Sequence, residues 1–180
     1  MKKLKVVLSE KQIQERIVEL GKQISKDYKG KKPVIVCMLK GAVVFFSDLV
    51  RNLDIPLSME FVRLSSYRNG TASGEMQIIN DLDVDVSGKD VLIVEDVVDS
   101  GKTLSFFVDL LKNKNPKSVK ICAFLDKPER RTVNVDVDYV GFRVECGFVI
   151  GYGLDYAESF RELPYLAEIN STDELKDFYD

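Results

Sequence analysis

Three largely apolar runs constrain the fold more than any other feature of this sequence. They are "PVIVCML" (33–39), "DVLIV" (90–94) and "SVKICAFL" (118–125), and all three are rich in β-branched residues. Such runs are typical of strands that are buried on both faces of a parallel sheet. Helical patterns follow the first two runs, at residues 42–53 and 102–113. The alternation predicts an α/β fold with a mostly parallel sheet flanked by helices.

Weaker patterns predict the remaining elements. Residues 9–28 predict an amphipathic helix, because apolar side chains recur at helical spacing and Ser9 with Gln12 can form a capping box. Further extended segments are predicted at residues 57–65, 76–81, 139–144 and 148–153. No internal repeat or linker is visible, so the 180 residues are expected to form a single domain, 1–180.

The charge balance and the N-terminal segment narrow the possible partners. With 26 basic and 29 acidic residues the net charge is −3, and no block of Lys and Arg stands out, which argues against a nucleic-acid partner. The start, "MKKLKVVLSE", lacks the apolar run of a signal peptide, and no apolar run approaches the ~20 residues that cross a bilayer. We therefore expect a cytoplasmic protein that makes no membrane contact.

The absence of histidine removes whole classes of chemistry. The sequence contains no His, which excludes Ser-His-Asp and Cys-His catalysis and every metal site that uses His. The three cysteines (Cys37, Cys122 and Cys146) are widely spaced, and burial as free thiols in a reducing compartment is expected for them. The chemistry must rely on carboxylates, lysine, arginine and backbone amides, with or without a hard cation.

Polar residues follow each predicted strand of the sheet. In open α/β sheets, ligands bind outside the carboxyl ends of the strands. The residues expected at this edge are Lys40-Gly41, Ser66-Tyr67, Glu95-Asp96 followed by residues 99–103, and Asp126-Lys127. Their concentration at one edge predicts a ligand site there.

The segment "EDVVDSGKT" (95–103) predicts a site for a phosphorylated ribose. It ends in Gly-Lys-Thr like the ATP-binding loop, but Asp96 stands where that loop requires its first glycine, which argues against an ATP-dependent phosphotransferase. Backbone N–H groups at the start of the following helix can hold one phosphate monoester, and the adjacent carboxylates can accept from a diol or attract Mg²⁺. An ordinary strand-to-helix turn is the alternative, although acids at 95, 96 and 99 would then repel one another.

These motifs carry a resemblance to a known family. The segments "MLKGAVVFFSDL", "SSYRNG", "VLIVEDVVDSGKTL", "LDKPERR", "VDYVGF" and "FVIGYGLDYAESFRELPYL" occur in the order and spacing of that family, over about residues 33–166. On these segments the chain resembles the bacterial hypoxanthine-guanine phosphoribosyltransferases, within the purine and pyrimidine phosphoribosyltransferase family. The resemblance implies a type I phosphoribosyltransferase fold, with a small hood from the C-terminal part (about 140–180) and a flexible lid loop (about 65–76).

The family's activity is purine salvage. The resemblance implies transfer of the 5-phosphoribosyl group from phosphoribosyl pyrophosphate (PRPP) to hypoxanthine or guanine, which yields IMP or GMP and pyrophosphate. It also implies Mg²⁺ as cofactor and a homodimer or homotetramer. A PRPP-sensing regulator that binds nucleic acid is the alternative function. It would need a basic surface, which this composition does not indicate.

Site roles are implied residue by residue. Asp99 matches the general base that handles the proton on the purine's ring nitrogen. Glu95 and Asp96 would engage the ribose hydroxyls and Mg²⁺. The 5-phosphate would be held by Ser100, Gly101, Lys102 and Thr103.

The same resemblance assigns the two other subsites and the lid. Pyrophosphate would be bound by Lys40, Gly41 and Arg161, with a cis peptide between Leu39 and Lys40. The purine site would contain Lys127 at the six-oxo group, Phe148 stacked on the base, Val149 offering backbone groups, and Asp155, which is also implied as a ligand of a second Mg²⁺. Ser66 and Tyr67 would belong to the lid.

Several of these assignments have structural alternatives. Asn69-Gly70 is a common turn, so the lid could be a simple connection, and Lys127 could be a solvated charge. We expect Tyr156 and Phe160 to be core aromatics. Residues 145–147 depart from the family's Pro-Asp pair, which leaves the backbone before Phe148 open.

Overall fold

The structure, a computed structural model, describes residues 4–66, 76–145 and 147–169. Its elements in chain order are β1 (Lys5–Leu8), α1 (Glu10–Asp27), β2 (Val34–Leu39), α2 (Val43–Arg51), β3 (Ser58–Ser66), β4 (Met76–Asn80), β5 (Asp90–Val98), α3 (Lys102–Lys112), β6 (Ser118–Asp126), a 3₁₀ turn (Pro128–Arg130), β7 (Tyr139–Arg143), β8 (Phe148–Ile150) and β9 (Leu166–Ile169).

A six-stranded sheet forms the centre of the molecule. Its strand order is β4-β3-β2-β5-β6-β7. All neighbouring strands from β3 to β7 are parallel, and only β4 pairs antiparallel, with β3. The predicted mostly parallel sheet is confirmed, and the carboxyl ends of β2, β3, β5 and β6 lie at one edge of it.

Helices cover both faces of this sheet. On one face Ile35 and Cys37 of β2 pack with the apolar sides of α1 and α2, and on the other face Val34 and Val36 pack with the apolar side of α3. Successive residues of a strand point to opposite faces, so a strand with two buried faces must be apolar throughout. Cys37 and Cys122 are buried free thiols, as expected.

The first helix begins as its sequence predicts. The Ser9 hydroxyl accepts from the backbone N–H of Gln12, and the Gln12 side chain accepts in return from the backbone N–H of Ser9. This capping box satisfies donors that would otherwise lack partners at the helix N-terminus. The apolar residues at helical spacing, Ile13, Ile17, Leu20 and Ile24, are all buried.

A second, three-stranded antiparallel sheet of order β1-β9-β8 lies apart from the large sheet. Here the hood denotes β1, β8, β9 and the connecting residues 151–165. β7 belongs to the large sheet, and β1, from the N-terminal end of the chain, belongs to the small one. The sequence did not predict β1 or β9, because four-residue strands are too short to show a period of two.

None of the helices in the three described ranges has both the length and the apolar character needed to cross a membrane.

Candidate active site

The predicted strand-end residues do lie at the carboxyl edge of the large sheet. Lys40 and Gly41 follow β2, residues 99–101 follow β5, and Lys127 follows β6. Ser66 is the last residue of β3 and is paired with Met76 of β4, so the two ends of the predicted lid are adjacent. Tyr67 and the rest of the lid, up to residue 75, lie outside the described residues.

The N-terminus of α3 is built to receive an anion. Its N-cap is Gly101, with a φ of +81° and no side-chain capping hydrogen bond. The first N–H groups of a helix have no intrahelical partner and carry the positive end of the helix dipole. Glycine is required at position 101 for two reasons. Its φ favours glycine, and a Cβ there would lie 2.9 Å from the Val133 carbonyl oxygen. Lys102, the first residue of α3, is exposed.

Residues 131–133, after β6, fix the loop at residues 99–101 through hydrogen bonds. The Ser100 carbonyl accepts from the N–H groups of Thr132 and Val133, at 3.0 and 3.2 Å. The Arg131 guanidinium donates to the Asp99 carbonyl at 2.9 Å and to the Asp126 carboxylate at 2.5 Å. The sequence analysis assigned no role to Arg131, although it is the last residue of the segment "LDKPERR" that begins at the end of β6.

A pocket of about 160 Å³ lies between β5 and this loop. Its polar lining is Glu95, Asp99, Ser100, Gly101 and Thr103. Five of the residues predicted to bind or act on a phosphoribosyl group therefore share one small cavity.

The acidic pair Glu95 and Asp96 lies inside β5, which ends at Val98, whereas the sequence placed it after the strand. Burial, and secondly the neighbouring Asp96 carboxylate, raise the pKa of Glu95 well above its usual value. Asp96 lies against the loop after β2, since a Cβ on Gly41 would lie 1.6 Å from its Oδ2 atom. Two close carboxylates, one of them with a raised pKa, form a site that a cation or hydroxyl donors would stabilise.

Asp99, the predicted base, lies at the mouth of the pocket. Its Oδ1 atom is 2.9 Å from Nε of Arg130, and its side chain is 42% exposed. The carboxylate is thus accessible from solvent and is held by an arginine that the sequence analysis did not single out.

The predicted purine residues lie where the end of β6 meets the hood. Lys127 is buried, and its ammonium donates to the Gly147 carbonyl at 2.8 Å. The N–H of Gly147 donates to Glu168 at 3.1 Å. Both the N–H and the carbonyl of Gly147 are therefore hydrogen-bonded, which fixes the backbone directly before Phe148. Phe148 is 52% exposed, in an edge contact with Tyr156 at 5.9 Å between ring centroids.

Backbone groups and the neighbouring aromatics complete this part of the site. Val149 belongs to β8, the last strand of the small sheet, so the edge of β8 that faces away from β9 has no strand partner in the described ranges. Phe160 is buried, as predicted, but Tyr156 is only half-buried and supports Phe148.

The predicted pyrophosphate residues meet at the turn 155–161. Nζ of Lys40 lies 2.6 Å from the Glu158 carboxylate, and the Arg161 guanidinium lies 2.8 Å from Asp155 and 3.4 Å from Glu158. The peptide between Leu39 and Lys40 is cis, as the resemblance implied.

The three predicted metal ligands do not form one cluster. Asp155 is engaged by Arg161 and by the backbone N–H of Glu158, at 2.8 and 2.9 Å. Across the described ranges, no group of three or more His, Cys, Asp or Glu residues is arranged to hold a metal ion. The carboxylates are thus divided between the Glu95-Asp96 pair and Asp155.

Comparison with known proteins decides the family. A family model described as the phosphoribosyl transferase domain matches residues 5–157. The chain belongs to the phosphoribosyltransferase family. The family predicted from the motifs is thereby confirmed, and the mostly parallel sheet flanked by helices is that of the type I phosphoribosyltransferase fold.

Individual relatives of this phosphoribosyltransferase are similar over nearly its whole length. The hypoxanthine-guanine phosphoribosyltransferase of Bacillus subtilis is 48% identical over 90% of this chain and 91% of its own. The bifunctional protein TilS/HprT of Listeria monocytogenes is 52% identical over 90% of this chain, which spans 25% of that relative. A solved hypoxanthine phosphoribosyltransferase of Staphylococcus aureus superposes with a TM-score of 0.89 at 44% identity, over 98% of this chain and 94% of its own.

Proposed function

We propose that this phosphoribosyltransferase is a purine salvage enzyme that transfers the 5-phosphoribosyl group of PRPP to hypoxanthine or guanine. The products are IMP or GMP and pyrophosphate. One observation carries the proposal: the Asp99 carboxylate, the N-terminus of α3 and the Glu95 carboxylate line the same pocket. The name of the Bacillus subtilis relative, which specifies both bases, supports the choice of purine.

The 5-phosphate would bind at the N-terminus of α3. The N–H groups of its first turn, with the hydroxyls of Ser100 and Thr103, offer donors around a cavity of about 160 Å³. Hydrogen bonds from several backbone amides and the helix dipole favour a dianionic monoester.

The Glu95-Asp96 pair fits a magnesium site that the substrate completes. Mg²⁺ keeps several water ligands and is usually bound by one or two protein carboxylates together with substrate oxygens. A pair of neighbouring carboxylates that repel each other matches this donor set. The bound ion would supply positive charge to the diphosphate of PRPP, and Asp155 would contact a second ion mostly through water.

The purine would lie between Phe148 and the end of β6. The Lys127 ammonium, held beside Phe148 by the Gly147 carbonyl, would donate to the six-oxo group. The amino group of adenine would face this ammonium with a donor, so adenine should be rejected. Asp99 would accept the proton from the attacking ring nitrogen.

Departure of pyrophosphate leaves an electron-poor sugar, so the protein must neutralise the leaving group more than supply a nucleophile. Lys40, on the loop after β2, and Arg161, in the hood, would supply the positive charge for this. The lid (about 65–76), which includes Ser66 and Tyr67, would exclude water from the reacting carbon.

The direct test mixes the purified protein with PRPP and Mg²⁺ and offers hypoxanthine, guanine, xanthine and adenine separately. We expect nucleotide from the 6-oxopurines and none from adenine. Asp99→Asn and Lys127→Ala should lower kcat/KM by about 100-fold or more, whereas Lys112→Ala, which removes an exposed lysine, should leave it unchanged. Thermal melts of each variant check the fold.

Absence of turnover with every base would contradict the proposal. PRPP binding without turnover would instead favour the nucleic-acid-binding regulator with the same fold. We further propose that the enzyme is a cytoplasmic homodimer or homotetramer, which sedimentation velocity on the purified protein would test.

A further inference from the structure

The carboxylate of Glu158 lies between the two cations that the proposed function assigns to pyrophosphate. Its Oε2 atom is 2.6 Å from Nζ of Lys40, and its Oε1 atom is 3.4 Å from the Arg161 guanidinium. Lys40 follows a strand of the large sheet and Arg161 lies in the hood, 121 positions later. An anion of the protein itself therefore joins the two sides of the proposed pyrophosphate site.

The backbone holds Glu158 there in a conformation that its residue type disfavours. Ala157 and Glu158 have φ values of +51° and +66°, and Tyr156 and Ser159 exchange two backbone hydrogen bonds around them, at 3.1 and 3.0 Å. Two-residue turns with both residues at positive φ favour Asn-Gly or Gly-Gly. Turn preference alone would not select Ala-Glu, so the position of the glutamate needs another reason.

The ion pairs made by Glu158 can be broken by a competing anion. The side chains of Lys40 and Glu158 are 48% and 66% exposed. Exposed pairs of this kind are weak, whereas a diphosphate brings more charge and more oxygens to the same cations.

We propose that Glu158 is an internal competitor for the pyrophosphate site, and that the diphosphate of PRPP or free pyrophosphate must displace its carboxylate from Lys40 and Arg161. This inference rests on the proposed function. Displacement lowers the affinity for substrate and product by the same factor, which limits how tightly the product pyrophosphate is retained. Glu158 is thus an affinity-determining residue that does not touch the reacting atoms.

The test compares Glu158→Gln with the wild-type enzyme by titration calorimetry of pyrophosphate in the presence of Mg²⁺. The dissociation constant should fall by about three- to tenfold, as expected for the loss of one exposed and one partly exposed ion pair, and the KM for PRPP should fall in parallel. Glu158→Ala, which also removes the hydrogen bond to Lys40, should tighten binding at least as much.

Glu162→Gln is the matched control. It removes the same charge from an exposed glutamate four residues further along the chain, and it should change the pyrophosphate affinity by less than about twofold, because a screened surface charge acts weakly at a distance. Equal affinities in wild type and both Glu158 variants, or equal tightening in Glu162→Gln, would overturn the inference.

The same data separate this inference from the proposed function. If the wild type turns over hypoxanthine but the Glu158 variants bind pyrophosphate with unchanged affinity, the proposed role of Glu158 is wrong and the proposed function stands. A wild-type protein that neither turns over any base nor binds pyrophosphate would remove both.

Discussion

A Cβ atom on Gly153 would lie 2.1 Å from the carbonyl oxygen of Gly41. Gly41 in turn lies directly against Asp96, and the Gly153 carbonyl accepts from the Arg161 guanidinium at 2.7 Å. The loop after β2 is therefore enclosed between β5 of the large sheet and the hood. Backbone contact at this distance leaves no room for any side chain, so the geometry of the proposed pyrophosphate site depends on two glycines.

Replacement of Gly153 by alanine should destabilise the protein and separate the hood from this loop. The new Cβ meets backbone atoms, and the φ of +97° disfavours any other residue. We expect a loss of roughly 3 kcal/mol in the free energy of unfolding, about 1–2 from the backbone conformation and about 1–3 from overpacking. At Gly88 the φ is +68° and a new Cβ would meet nothing within 4 Å. Gly88→Ala should therefore lose only the contribution from the backbone conformation, about 1–2 kcal/mol. Equal losses in urea unfolding would contradict the packing argument.

Arg131 should matter for stability far more than a surface lysine. Its side chain is 15% exposed and that of its partner Asp126 is 8% exposed. Arg131→Met would leave the buried Asp126 carboxylate with Arg143, at 3.7 Å, as its one cation among the described residues, and would release the Asp99 carbonyl. We expect a loss of about 3–5 kcal/mol in urea unfolding, together with a higher KM for PRPP.

The control for Arg131→Met is Lys112→Met. Lys112 and Asp109 form an ion pair on the surface, with side chains 65% and 70% exposed. Loss of that pair should cost about 1 kcal/mol or less. A similar small loss for Arg131→Met would mean that its contacts do not hold the phosphate loop.

The parts of the fold that follow from local patterns were predictable from the sequence. The apolar runs of β2, β5 and β6 identify buried parallel strands because both faces must be apolar. Parallel strands in turn place Lys40, Asp99 and Lys127 at one edge without any knowledge of loop structure. The strand-end part of the candidate site therefore followed from strand direction, whereas the residues of the hood and the individual roles came from the family resemblance.

What could not be predicted depends on partners distant in the chain. β1 exists because β9, about 160 residues later, pairs with it, and neither strand is long enough to show a period. Arg131 and Glu158 lie in loops, and only the packed structure brings Arg131 beneath Asp99 and Glu158 beside Lys40. The end of β5 was misplaced because Glu95 and Asp96 are poor strand residues that the neighbouring strands retain.

Asp48 should stabilise the protein in a pH-dependent way. Burial would raise its pKa, but hydrogen bonds from Tyr152, Gln14 and Arg51 outweigh burial and lower the pKa below its usual 3.8. A carboxylate with a lowered pKa contributes stability above its unfolded pKa and loses it as the pH falls through the folded value. Asp48→Asn should therefore lower the Tm at about pH 7, and the difference from wild type should shrink below about pH 4.

Asp109→Asn supplies the comparison for this titration. Asp109 makes only an exposed contact with Lys112, at 3.5 Å, so the variant should melt close to wild type at every pH. A difference between Asp48→Asn and wild type that stays constant down to about pH 3 would show that the lost contacts, rather than the charge, determine stability.

Glu95 should make stability depend on pH in the opposite direction to Asp48, because the Glu95 carboxylate is destabilised in the ligand-free protein. Burial and then the charge of Asp96 raise its pKa well above 4.5, so the folded state binds a proton that the unfolded state has lost. Stability is then highest below the unfolded pKa and declines as the pH rises through the folded one.

Glu95→Gln, which stays neutral, should melt near wild type at about pH 4 and higher than wild type at about pH 8. The same variant should bind Mg²⁺ and PRPP more weakly, since the charge that destabilises the empty site is the charge that the proposed cation requires. A Tm difference that does not grow with pH would contradict the shifted pKa.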